Sequence, residues 1–61
     1  MKLIDILKVV NTSQTIRIGY CHTGEVFFPE YSELKKLEEY EVVDIEGKNG
    51  FLEITINPTV V

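Results

Sequence analysis

The apolar patterning of this chain predicts an α+β domain in the order αββαββ, with a four-stranded, mostly antiparallel sheet and two short helices on one face. Three observations point there: apolar residues at helical spacing in two segments, period-two alternation in four others, and breaks rich in Gly, Pro, Asn or Ser between them. The 61 residues suffice for one domain, 1–61, and are too few for two. At this size the gain from burial nearly cancels the ordering entropy, roughly 1.5 kcal/mol per residue, so association is a natural way to add stability. A homodimer is the expectation.

Leu3, Ile6, Leu7 and Val10 share one stripe, with Lys2, Asp5 and Lys8 opposite, which predicts an amphipathic helix of about nine residues. Asn11-Thr12-Ser13 should end it. From Gln14 to Tyr20, Ile16, Ile18 and Tyr20 alternate with Thr15, Arg17 and Gly19, the mark of a strand with one buried face. Cys21 to Gly24 reads as a turn. Val26 and Phe28 carry the apolar face onto a second strand, which Pro29 stops by removing a backbone donor.

Ser32 is the expected N-cap of a second helix bearing Leu34, Leu37 and Tyr40, with Glu33 in its first turn. Glu38 and Glu39 weaken its C-terminal end. Val43 and Ile45, then Leu52, Ile54 and Ile56, alternate with polar residues around Gly47-Lys48-Asn49-Gly50, forming a hairpin. A two-residue type I′ turn at Asn49-Gly50 sets Ile45 opposite Ile54 and Val43 opposite Ile56, but also Glu46 opposite Glu53. A four-residue loop keeps the faces and separates the two acids, so both turns stand as alternatives. The order of elements repeats once, and 57–61 form a tail, flexible or edge-pairing, that ends on Val60-Val61.

Composition excludes more than it assigns. A single cysteine, Cys21, rules out an intrachain disulfide, and with one histidine it cannot build a Cys/His zinc cage, so no metal is expected. Reduced thiol usage and broken apolar runs point to the cytoplasm, with neither a signal peptide nor a membrane span. Ten acidic against six basic residues give a formal charge of −4, which opposes attraction to phosphate backbones and argues against nucleic acid as a partner.

Cys21-His22 is the one pair with nucleophilic potential, but neighbours at a turn rarely address one reacting atom. Gly19, Gly24, Gly47 and Gly50 form neither a phosphate-binding loop nor a dinucleotide fingerprint, so no cofactor is expected. The acidic residues accompany no oxyanion-hole or general-base pattern, and catalytic residues are not assigned.

Alternation places Phe27, Val42 and Phe51 on the uncovered face of the sheet, and Ile4 and Val9 beside the core stripe of the first helix. Aromatics rimmed by polar residues are a common interface composition, so these five are the candidate interface.

Asp5-Ile6-Leu7, Ile16-Arg17-Ile18, Gly24-Glu25-Val26-Phe27, Glu33-Leu34 and Leu52-Glu53-Ile54 together resemble, over most of the chain, small proteins encoded by phages and prophages of Gram-positive bacteria. The resemblance implies action by binding. It suggests a non-enzymatic protein-interaction module that inhibits or modulates a host protein such as a defence component, working in the host cytosol. The alternative is a structural or accessory subunit of a larger assembly.

Overall fold

The structure is a computed structural model that describes residues 1–10 and 13–58. In chain order it contains α1 (Leu3–Leu7), β1 (Ile16–Tyr20), β2 (Val26–Phe27), α2 (Tyr31–Lys36), β3 (Glu41–Lys48) and β4 (Phe51–Asn57), the αββαββ sequence of an α+β domain. The four strands form one sheet in the order β2-β1-β4-β3. The outer ladders, β1–β2 and β3–β4, are antiparallel hairpins; the central ladder, β1–β4, is parallel and joins them. Consequently the repeated order of elements is not a repeat of position: β1 is central, whereas its counterpart β3 lies at an edge.

Leu3, Ile6, Ile18, Leu37, Ile54 and Ile56 make the buried core, with Leu7, Val10, Ile16, Leu34 and Leu52 packed around it. Residues of both helices therefore meet the same face of β1 and β4, as the alternation predicts. Among the described residues, no side-chain nitrogen or oxygen is buried without a hydrogen-bond partner, and no helix is long and apolar enough to cross a membrane.

Both helices are shorter than their apolar stripes. The α1 stripe continues past Leu7 as turns, with the amides of Val9 and Val10 both donating to the Ile6 carbonyl (3.0 and 3.1 Å), the tightened bonding usual at a helix end. The expected break at Asn11-Thr12 lies outside the described residues, as do Thr59 to Val61 of the tail; Asn57 itself completes β4.

In α2 the N-cap is Glu30, not Ser32. The Glu33 carboxylate at the third helical position accepts the Glu30 amide (3.2 Å), and Asp5 does the same for Lys2 ahead of α1 (3.0 Å). One carboxylate three residues on thus fixes each helix start. α2 ends at Lys36, before Glu38 and Glu39 can place negative charge at its C-terminus, and Leu37 and Tyr40 follow as successive turns.

The start of α1 is tied to the link between α2 and β3. The Leu3 and Ile4 amides, unbonded within a helix, donate to the carbonyls of Tyr40 (2.9 Å) and Glu38 (3.0 Å), and the Val42 amide donates to Met1 (2.7 Å). Met1-Lys2 therefore covers the beginning of the β3 edge, and Val43 to Lys48 line the rest of it.

Candidate interaction surface

The face of the sheet away from the helices is built on Arg17, Gly19, Phe51, Glu53 and Thr55 of the central strands, with Val26 from β2 and Asp44, Glu46 and Lys48 from β3. Register sets a charged row across it. Arg17 lies directly opposite Glu53, Glu53 opposite Glu46, and Lys48 is two residues from Glu46 along the same face. Arg17 donates from both Nε and Nη2 to one Glu53 carboxylate oxygen, and Lys48 Nζ stands 3.0 Å from the Glu46 carboxylate. The two facing glutamates are thus each held by their own cation, which removes the like-charge penalty that a two-residue turn would otherwise bring.

The Arg17 guanidinium also lies over the Phe51 ring, 4.7 Å from its centre. Phe28, just beyond β2, meets Phe51 edge to face with ring centres 5.5 Å apart. Val26 lies across Gly19: a β-carbon on Gly19 would stand 3.2 Å from the Val26 γ-methyl, tighter than most such contacts, so the glycine eases this close approach. The result is a Phe28–Phe51 contact at one side of a charged row anchored by Arg17, with Val26 beside Gly19 on the other side of that row. Val26 and Phe28 remain 51% and 57% exposed, large for apolar side chains on a sheet face.

Two of the five residues expected at the interface sit on the other face. Phe27 pairs with Ile18, packs against the core, and meets the Tyr20 ring at 5.5 Å. The reason is the turn: four residues separate Tyr20 from Glu25, whose carbonyl accepts the Tyr20 amide (2.8 Å), so crossing the turn exchanges odd for even positions. Val26 and Phe28, expected in the core, therefore project outward. Val42 faces Ile56 and packs on the core because a β-bulge between Val42 and Asp44 adds one residue to β3, and Val43 is left 57% exposed instead of opposing Ile56.

Of the other three, Phe51 lies half-buried on the open face, Val9 is 83% exposed after α1, and Ile4 lines a groove between the helices, apart from the sheet surface. The structure does not gather all five into one surface. Val26 and Phe28 are the residues that the alternation missed; counting the residues of the Cys21–Gly24 turn is the signal that finds them.

The hairpin turn is the two-residue alternative. Lys48 pairs with Phe51, and Ile45 faces Ile54 as expected for that loop length. Its geometry is not type I′, which needs positive φ at both central residues: Gly50 has φ of 91°, whereas no described non-glycine residue has positive φ. Asn49 and Gly50 have the φ signs of a type II turn.

At the Cys21-His22 turn, Cys21 is exposed and the His22 ring packs edge-on against Tyr20, with ring centres 6.0 Å apart. No group of three or more His, Cys, Asp or Glu side chains arranged to hold a metal occurs among the described residues. Searches against protein-family models, curated proteins and solved structures find no match to this chain.

Proposed function

We propose that this chain is a non-enzymatic protein-interaction module of phage type, which inhibits or modulates a host protein, such as a defence component, by binding it through the open sheet face. The observation that carries the reading is the contact of exposed Phe28 with Phe51, whose ring also lies under an Arg17 already held by Glu53, with exposed Val26 on the same face. Aromatic and Arg anchors dominate interface energies, and a guanidinium fixed before binding has less conformational freedom to lose. The host setting rests on the whole-chain resemblance alone.

Affinity capture from a host lysate with wild type, Phe28→Asp and Val9→Asp tests the reading. One protein retained by wild type and Val9→Asp but lost with Phe28→Asp is the expected outcome. Indifference to Phe28→Asp removes the open face from consideration. Solution mass across a concentration series, by sedimentation, then tells whether this face also joins two copies; a homodimer disrupted by Phe28→Asp is the form expected.

A further inference from the structure

On the opposite side of the molecule α1 and α2 leave a groove of about 250 Å³, and we infer that it is a binding site for a short acyl chain bearing a carboxylate head. This inference uses none of the residues of the open sheet face and does not depend on the function proposed for it. The walls are apolar: Leu7, Val10, Ile16 and Leu34 line the groove and are all half-buried, so the core does not fully enclose them. The volume lies just below the roughly 300–1,000 Å³ of pockets for drug-sized ligands, which suits a single flexible chain better than a partner's helix.

Charge selects the head group. Of the six cationic side chains, Lys2, Arg17 and Lys48 are each paired with a carboxylate. Lys8, Lys35 and Lys36 have no such partner among the described residues, and Lys8 and Lys35 line this groove; Lys35 Nζ lies only over the Tyr31 ring, at 5.6 Å. Glu38 is the one acid in the lining. Two cations against one carboxylate make the rim locally positive on a chain whose net charge is −4. An apolar slot with a cationic rim complements an amphiphilic anion and opposes the corresponding cation.

The test is NMR titration of the intact chain with octanoate and with octylammonium, both below their micelle-forming concentrations. Octanoate is expected to shift the methyl signals of Leu7, Ile16 and Leu34 and to bind about tenfold more tightly than octylammonium. The double variant Lys8→Gln/Lys35→Gln changes two exposed side chains with no ion pair to lose, so it should fold as wild type and bind octanoate about tenfold more weakly. Equal affinity for the two amphiphiles would overturn the site by reducing the lysines to cover for apolar surface. Octanoate shifts confined to Val26 and Phe28, no shifts at all, or groove signals that move with protein concentration alone, as when a second copy fills it, would each overturn it as well.

Discussion

The central strands β1 and β4 and the edge strands β2 and β3 have similar apolar content but put it to different use. Ile18, Ile54 and Ile56 in the centre are fully enclosed between the sheet neighbours and the two helices, whereas Val26, Val43 and Ile45 at the edges are each more than two-fifths exposed. A central strand is held on two sides by ladders and on one face by helices, so its side chains have one place to go. An edge strand has a ladder on one side only, and a bulge or a change of parity at a turn costs it little. The difference divides the molecule: buried apolar side chains are concentrated in the centre, and exposed ones are left at the margins.

Truncation in matched positions should show this division most strongly. Ile54 and Ile45 are direct partners across β3–β4 and are chemically identical, yet one is fully buried and the other 43% exposed. Ile54→Ala is expected to cost about 3–4 kcal/mol and Ile45→Ala about 1 kcal/mol. Since a domain this small rarely holds more than about 3–5 kcal/mol, Ile54→Ala should be largely unfolded at room temperature while Ile45→Ala remains folded. Circular dichroism during urea titration reads both. Equal losses would mean that the edge is as constrained as the centre.

A finer contrast lies within β2 and its exit. Phe27 packs against the core and Tyr20, while its neighbour Phe28 stands out over Phe51. Phe27→Ala should cost about 2 kcal/mol, less than a fully buried Phe would, and Phe28→Ala well under about 1 kcal/mol while weakening any partner bound on that face. Reversed magnitudes would restore the assignment that simple alternation makes. Thermal melts of the two variants side by side decide it.

What could be read in advance follows the same line. Ile16, Ile18, Ile54 and Ile56 were legible because strict alternation has a single interpretation once one face is buried. Phe27 and Phe28 were not legible by alternation alone, since the parity of a strand after a turn depends on how many residues the turn contains. Val42 and Val43 were hidden by a bulge, which depends on backbone pairing rather than on the side chains in β3 itself. Ser32 is the stronger intrinsic cap, but Glu33 reaching back to Glu30 starts α2 two residues earlier. The Arg17–Glu53 pair joins residues 36 apart through the parallel central ladder, and nothing local to either residue indicates it.

A backbone change at the turn tests whether the edge is held in register by the centre or by its own turn. Gly50 connects edge β3 to central β4 with φ of 91°, where a side chain adds steric strain of roughly 1–2 kcal/mol. Open space surrounds its β-carbon position, so Gly50→Ala should act through the backbone alone, at about 1 kcal/mol. If the ladder to β4 holds the register, that loss should speed amide exchange near Lys48 and Phe51 and leave Val42 and Ile56 protected. If the turn holds it, exchange should quicken along the whole of β3, and Ile45 would lose its place opposite Ile54. Hydrogen exchange on this one variant separates the two, because the bulge at Val43 lets the far end of β3 keep its own pairing with β4 and with Met1.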